Sequence, residues 1–497
     1  MKKTVLARIL LFIILLSVTL VSCDMDEGAI DFDRLENEIK DAVSTYDSYP
    51  HSERVPADTE RNWNTDTTSP SGNGGTGTGT GGYPDNGSSN EYDFQGMNFV
   101  FLSRNVAGHA EALFSEGDGS TILSEAVYFR QTTVEQRYNI HLEFLIASDS
   151  ELTNRIQTSS LSGDFEYDVA GIRGNNMVTL ATNSMLEDWN KMDCIDLSSS
   201  WWYESARKDL AMPNGALYAM DGDITYNSLE SAGVMFFNED MLSNYGINNI
   251  YEMVANGTWT MEAFLNMVKN TNSHQGYVTS KAQAPMLAAR STGRSVIRNG
   301  GQYVFNWNTE KTMSFMDDFL SALNLVTVET SGSNAVRDIF ADGNVAFSDN
   351  NLGKINTMND INFSLGMAPW PKADANDEYT ASVSASTTLY SIPTSTEART
   401  KIASIIIDGF AEEGQSILLK KYYYPQVLIR YSTTSNMYDC AVLVHKFLSY
   451  DIGVMGNFSN ISQLPVSAYS SGSFSAEVAS KQSQIDSYLL KLNTQFK

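Results

Sequence analysis

From residue 93 onward, short apolar runs alternate with stretches whose apolar positions recur every three to four residues, the pattern of strands interleaved with amphipathic helices. Positions 97–102 read as a strand, 120–138 as a helix with Ile122, Ala126, Val127 and Val134 on one side, and 140–146 as a strand that alternates as far as Phe144. The cycle then repeats. A helix is predicted over 151–161, an apolar strand over 167–172, and a helix over 175–186 with Met177, Leu180, Ala181 and Met185 facing inward. Succession at this spacing predicts an α/β layer with a largely parallel sheet.

A second series opens with a strand at 233–237. Thr260 is placed to cap a helix whose Met261, Phe264, Leu265 and Val268 share a face, with Trp259 and Phe264 at the positions of a hydrophobic staple. Further on come a helix ending near Gly343, strands at 345–348 and 363–368, and a helix over 395–413 carrying Ile402, Ile405, Ile406 and Phe410. The stretch 93–497 is too long for one ordinary core and suits two lobes.

The N-terminal part is patterned differently. Lys2, Lys3 and Arg8 precede an apolar run over 9–21, as in an export signal, and the run ends at Leu20-Val21-Ser22-Cys23 before turning acidic. It is short for a membrane span. The Leu-Val-Ser-Cys sequence resembles the lipobox of bacterial lipoproteins, which implies a signal peptide over 1–22 and a lipid on Cys23. The alternative is an ordinary signal peptide whose cleavage region happens to hold a cysteine. Residues 23–92 hold few aliphatics, and 69–90 is mostly Gly, Ser and Thr, including an unbroken run of these over 75–82. Such a composition builds no core and reads as a flexible tether, with at most a marginal helix at 32–43.

Charge and cysteine content narrow the function. With the three basic residues of the leader removed, 30 Lys and Arg stand against 59 Asp and Glu, a surface that repels nucleic acid. Only Cys194 and Cys440 remain, too few for a disulfide scaffold or a cysteine-rich zinc cluster.

Several stretches, in this order, resemble the family 1 extracellular solute-binding lipoproteins, the carbohydrate-type binding proteins of ABC importers. They are Tyr167-Asp168-Val169, Met185-Leu186-Glu187-Asp188, Ile195-Asp196-Leu197, Trp201-Trp202, Gly222-Asp223, Val234-Met235-Phe236-Phe237-Asn238, Gly257-Thr258-Trp259-Thr260, Gly366-Met367-Ala368-Pro369-Trp370-Pro371-Lys372 and Tyr390-Ser391-Ile392-Pro393. Phe237 departs from the tyrosine frequent in that family, and the tether is unusually long. The resemblance implies a two-lobe periplasmic-binding-protein-like fold of type II with the ligand in the cleft between lobes. It also implies ABC permease subunits as partners, a small carbohydrate as ligand, membrane attachment through Cys23 and no cofactor; a monomer is expected. Carried onto this chain, crossings fall near 229–235, 362–368 and 428–433. Lobe one is then 93–230 plus 367–430, and lobe two 231–366 plus 431–497. Cys194 and Cys440 fall in different lobes, where a disulfide would lock a moving hinge, so free thiols are expected.

Ligands of parallel α/β sheets bind beyond the carboxyl ends of strands. The loops there offer Arg104 and Asn105, Arg173 and Asn175, and Asp349 and Asn350, whose polar ends suit sugar hydroxyls. The alternative is solvated loops whose Asn residues cap the next helix. A pyranose face also packs on an aromatic ring, for which Trp189, Trp202, Tyr226, Tyr390 and above all Trp370, set between two prolines, are candidates, each alternatively a core residue. Asp221-Gly222-Asp223 reads as a turn at the cleft rim, and Trp307 and Trp63 as peripheral. No nucleophile elbow, zinc-binding His-Glu-x-x-His or phosphate loop occurs, and no metal site is expected. A lipid-anchored glycoside hydrolase and a two-lobe sensor or adhesin without cargo transport are the rival functions.

Overall fold

A computed structural model describes residues 92–497 except 118, 120, 272–275, 324–325, 330–331, 359–360 and 425–434. The leader, Cys23, the tether, Trp63 and the crossing expected at 428–433 therefore lie outside the described residues. Two sheets carry the fold. Their strands are β1 (Met97–Arg104), β2 (Ile140–Ala147), β3 (Val169–Ile172), β4 (Gly233–Asn238), β5 (Tyr277–Ser280), β6 (Thr327–Glu329), β7 (Phe347–Asn351), β8 (Leu365–Pro369) and β9 (Leu389–Ser391).

Sheet one has the order β9-β3-β1-β2, with β1, β2 and β3 parallel and β9 antiparallel to β3. Sheet two has the order β8-β4-β7-β5-β6, with β5, β6 and β7 parallel and β4 antiparallel to both of its neighbours. All residues of β3, β4 and β8 are buried, which is why they read as continuous apolar runs rather than alternating ones. In β8, a Cβ on Gly366 would stand 2.1 Å from the Phe237 ring of β4, so glycine at 366 is what admits phenylalanine at 237.

The helices start where capping chemistry permits. Thr121, Ser148, Thr260 and Thr396 each accept a backbone N–H of the first turn, opening α1 (Ile122–Tyr138), α2 (Asp149–Ser162), α3 (Met261–Asn270) and α4 (Glu397–Glu413). The Trp259–Phe264 staple forms, with ring centroids 6.0 Å apart. Asp168, of the Tyr-Asp-Val stretch, ties α4 to sheet one. It accepts Val100 N–H at 2.8 Å and a two-pronged bond from Arg399 at 2.7 and 3.0 Å.

Four expectations need correction. The helix predicted over 175–186 is Gly174–Thr182, cut short where Ser184 takes positive φ and Leu186 pairs with Pro393. The strand predicted at 345–348 runs on through Asn351, so Asp349 and Asn350 belong to a strand and not to the loop after it. No crossing occurs at 362–368, because Leu365–Pro369 pairs with β4; the chain returns to sheet one between Pro369 and Leu389, which puts 367–369 in sheet two. Trp307 is fully buried and donates to Gly293 O at 2.9 Å, so it is core. Cys194 and Cys440 are free thiols, and burial pushes the Cys440 thiol up to about 12. Among the described residues, no helix is long and apolar enough to cross a membrane.

Candidate functional site between the two sheets

Strand register shows where the two sheets meet. Because β1, β2 and β3 are parallel, Arg104, Ala147 and Ile172 end on one edge of sheet one, and Leu389 pairs with Ile172 at that same edge. The residues just before Leu389, 383–388, therefore run along the carboxyl edge of sheet one. In sheet two, Gly233 pairs with Asn351 at the end of β7, so 227–232 runs along the carboxyl edge there. The two segments touch: Ser231 Oγ and Thr387 Oγ1 are 2.9 Å apart, and Ser384 N–H donates to Ser231 Oγ at 3.3 Å. The carboxyl edges of the two sheets thus converge on one junction.

On the sheet-one side, Arg104 is buried and forks onto Asp149, with Nε–Oδ1 at 2.6 Å and Nη2–Oδ2 at 3.1 Å. Its remaining nitrogen donates to Ser386 O. Arg104 is thus an organiser of the edge and leaves little for a solute. Hydrogen bonding from Arg104, with the charges of Arg104 and Arg173, holds the Asp149 carboxyl below its usual range. His109 Nδ1 lies 2.8 Å from Thr388 Oγ1, and burial followed by the nearby Arg104 charge lowers its imidazole to about 4, so it is neutral at physiological pH. Arg173 is half-buried and donates to Ala385 O at 3.5 Å, while Asn105 is exposed. Asn175 follows, with a buried Oδ1 that has no hydrogen-bond partner. Gly174 meets the other side of the junction directly, since a Cβ there would lie 2.7 Å from Met455 O.

The centre of the junction is aromatic and acidic. Tyr226 stacks on Tyr423 with centroids 5.2 Å apart and planes 20° from parallel, and Tyr424 stands edge-on to Tyr423. Asp223 is fully buried and accepts Tyr203 OH at 2.7 Å and Gln415 Nε2 at 2.8 Å, with His445 Nε2 at 3.4 Å. His445 in turn pairs with Tyr424 OH. Asp221 accepts Tyr450 OH at 2.8 Å and the Ser228 hydroxyl, and burial pushes its carboxyl up to about 7. These acids are interior, not a rim turn. Glu230 is partly exposed and receives Asn356 Nδ2 at 2.8 Å; desolvation raises it to about 7 as well. The Tyr423 hydroxyl is buried without a partner.

Sequence reasoning expected Arg104, Asn105, Arg173 and Asn175 in loops after the strands of sheet one, Asp223 in a turn at the cleft rim and Tyr226 as an aromatic platform; Arg104 instead ends β1, Asn175 lies in the first turn of the helix Gly174–Thr182, Asn105 and Arg173 lie just beyond the carboxyl edge, and Asp223 and Tyr226 are buried. Other candidates sit in packed interior. Trp202 is 4% exposed, meets Trp189 edge-on and donates to Asp408 at 2.7 Å, sharing that oxygen with Trp201. Tyr390 is 1% exposed within β9. Asp349 holds Tyr277 OH at 2.8 Å, burial raising its carboxyl to about 6, and Asn350 donates to Ser333 O at 3.0 Å. Trp370 follows β8 at the expected edge, but its ring is 1% exposed and turned into the sheet-two core against Phe319. A ring with no free face cannot stack on a sugar. Residues the sequence reading passed over are Tyr203, Glu230, Tyr423, Tyr424 and His445. The run Tyr422-Tyr423-Tyr424 directly before Pro425 was the available signal. Among the described residues, no group of three or more His, Cys, Asp or Glu side chains is placed to hold a metal ion.

No curated protein matches the chain in sequence. In fold it is similar to the sugar-binding protein MalE from Xanthomonas citri, at 14% identity and a TM-score of 0.54, covering 80% of this chain and 98% of that one. It is similar also to the cyclic alpha-maltosyl-1,6-maltose binding protein from Arthrobacter globiformis, at 11% identity and a TM-score of 0.53 over 81% and 99% of the two chains. The galacto-N-biose-/lacto-N-biose I-binding protein of the ABC transporter from Bifidobacterium longum matches at 13% identity and a TM-score of 0.52 over 80% and 98%. The mixed α/β architecture is that of the two-lobe MalE-type binding proteins. Residues 132–406, more than half of the sequence, match the family described as bacterial extracellular solute-binding protein, and the chain belongs to that family.

Proposed function

We propose that this protein captures a carbohydrate outside the cytoplasm and delivers it to an ABC importer. The observation that carries the reading is the junction itself. Stacked tyrosines, partly exposed or unpartnered polar groups and two converging strand edges lie at one place, on a fold whose solved relatives include proteins named for the sugars they bind. Aromatic faces pack on the C–H face of a pyranose, while carboxylates, amides and hydroxyls answer its hydroxyls. Family membership places the chain outside the cytoplasm.

The site we assign comprises Glu230, Arg173, Asn175 and Asn105, which keep exposed surface, with Tyr226, Tyr423, Tyr424 and Asp223 packed behind them and uncovered only as the lobes part. Lobe one is 93–230 with the return segment that includes β9 and α4; lobe two holds sheet two and the C-terminal helices. A solute touching both lobes favours the closed arrangement, and that difference in affinity drives closure. Cys23 carries a lipid, and 24–92 is the tether that leaves the lobes clear of the membrane. A permease is the receiving partner.

The test is a thermal-shift screen against neutral oligosaccharides, followed by calorimetry and product analysis. A solute at 100 times its Kd stabilises by about 2.7 kcal/mol. Saturable binding with the sugar recovered unchanged supports the reading. Cleaved products make the protein a hydrolase, and no shift with any carbohydrate removes sugar from the proposal.

A further inference from the structure

Beside the junction, the two lobes also grip one another directly. After the helix Gln283–Ser291 of lobe two, the chain turns through Arg294 into a hairpin whose strands, Val296–Asn299 and Gln302–Phe305, pair with each other apart from both main sheets. The hairpin is rooted in its own lobe. Asn493 of the C-terminal helix accepts Tyr303 N–H at 2.7 Å and donates back to Tyr303 O at 3.0 Å, and the Tyr303 ring lies 5.8 Å from that of Phe458. From this root it reaches lobe one at alternate positions of a single stretch. Arg294 Nε and Nη2 donate to Asp209 Oδ2 at 3.0 and 2.8 Å, Tyr303 OH donates to Ala211 O at 2.8 Å, and Arg298 Nε donates to Pro213 O at 2.9 Å. Gly215, at φ 89°, permits the close approach, since a Cβ there would stand 3.0 Å from Arg298 Nη2. A few residues on, this stretch is fixed to lobe one, where Leu217 O accepts Trp189 N–H and Met220 exchanges two backbone bonds with Tyr390 of β9.

The grip continues to the carboxyl edge of sheet one. Tyr450 of lobe two donates its N–H to Asp209 Oδ2 at 3.1 Å and its hydroxyl to Asp221 Oδ2 at 2.8 Å. Asp451 then accepts Ser295 N–H at 2.7 Å and the Ser295 hydroxyl at 2.6 Å, at the base of the hairpin. In the short helix Ile452–Met455, a Cβ on Gly453 would lie 2.7 Å from Val296 Cγ2, while Met455 O meets Gly174 at the sheet edge. Hairpin, Tyr450 and Met455 therefore form one block, and parting the lobes at Gly174 pulls the hairpin off 209–213.

We propose that this hairpin is a strap from lobe two onto lobe one that keeps the resting protein closed before any solute binds, so that release of the strap gates entry to the junction. The reason lies in where the bonds end. Every partner in the grip is supplied by the chain itself, so the closed arrangement is complete without a solute and is populated in its absence. Tyr303 is 3% exposed, which keeps its bond to Ala211 out of water. Hydrogen bonds of this kind are modest in net strength, because water replaces them on opening, so the strap holds without locking. A solute that meets a closed state already populated gains affinity, since less of its interaction goes into shifting the equilibrium, while its entry is slowed to the pace of strap release. This holds whatever the solute is.

The test is hydrogen exchange of the whole chain without any solute, read at the Tyr450 amide, together with solution scattering. The variants are Arg298→Ala, Tyr303→Phe and the two combined. We expect the Tyr450 amide to exchange at least about tenfold faster in the combined variant, with a larger radius of gyration, while the amides of β1 and β4 keep their rates. Ile297→Ser with Val304→Ser alters a cross-strand pair on the exposed face of the hairpin and should change neither reading. Unchanged exchange at Tyr450 and an unchanged radius in the combined variant overturn the strap. Faster exchange throughout, β1 and β4 included, also overturns it, because the hairpin then supports the fold and not the closed state. If Tyr303→Phe does not fold, Arg298→Ala decides alone by the same two readings, its side chain being exposed. None of these outcomes bears on the carbohydrate reading, which its own screen decides.

Discussion

Replacing Trp370 with alanine separates a core role from a ligand platform. The ring is 1% exposed and packs edge-on to Phe319 at 6.5 Å. A buried aromatic of this size removes roughly 150–250 Å² from water, which at about 25 cal/mol per Å² amounts to some 4–6 kcal/mol as an upper bound. Large-to-small core changes of this kind cost about 3–5 kcal/mol. One term opposes this. The indole Nε1 is buried without a partner, and an unsatisfied buried donor costs roughly 1–3 kcal/mol, which truncation returns. The net loss expected for Trp370→Ala is therefore centred on about 2 kcal/mol, within a span of roughly 0–4. Trp370→Phe keeps a ring against Phe319 and removes the stranded N–H, so it should lie within about 1 kcal/mol of the unaltered protein. Urea unfolding followed by fluorescence, with the slope checked for constancy, reads both values. Carbohydrate affinity, measured well below the unfolding transition, should be nearly unchanged in both variants. If Trp370→Ala keeps full stability and loses affinity by tenfold or more, the ring faces the solute and the packing argument is wrong.

Asp168→Ala should destabilise by about 3–5 kcal/mol, because it strands the Arg399 guanidinium and the Val100 N–H together; a change under 1 kcal/mol in chemical denaturation would refute the tie between α4 and sheet one. For pH, burial raises Asp221 and Glu230 from the ordinary carboxylate range to about 7, so the folded protein holds protons that the unfolded chain releases. Their contribution to stability is accordingly greatest below the unfolded carboxylate range and is lost as pH rises towards about 7. The unaltered protein minus Asp221→Asn should show stability falling between pH 4 and 7, and a difference curve that is flat or rising rejects the assignment. Cys23→Ala should release the protein from the membrane fraction, and unchanged membrane association of that variant would count against the lipid anchor.

How much of this was legible beforehand depended on the range of the interactions involved. Helix starts were read well because a Thr or Ser cap and a staple such as Trp259–Phe264 act within a few residues. The end of β7 was misread because Asp349 and Asn350 look like loop residues; their partners, Tyr277 and Ser333, are remote in sequence. The same holds for Trp370. Its flanking prolines placed it correctly at a strand edge, but the direction of the ring is set by Phe319, which no local pattern reveals. Arg104 was found at the right edge and given the wrong occupation, since Asp149 competes for it. His445 and Tyr424 were missed because they reach Asp223 from distant segments, and a lone histidine carries no periodic signal.

The return of the chain to sheet one has a consequence for how the protein comes to be folded. β3 ends at Ile172 and its neighbour β9 begins at Leu389, while β4 receives its outer partner only at Leu365. Neither sheet gains its outer strand until most of the polypeptide has been made, and pairings of such long sequence separation form slowly. Before residue 365 is reached, β1 to β3 and β4 to β7 already have their other partners, yet β3 and β4 each present an edge of unpaired backbone donors and acceptors. Those two edges are where a partly made chain is most exposed to wrong pairing, and β8 and β9 are the strands that seal them.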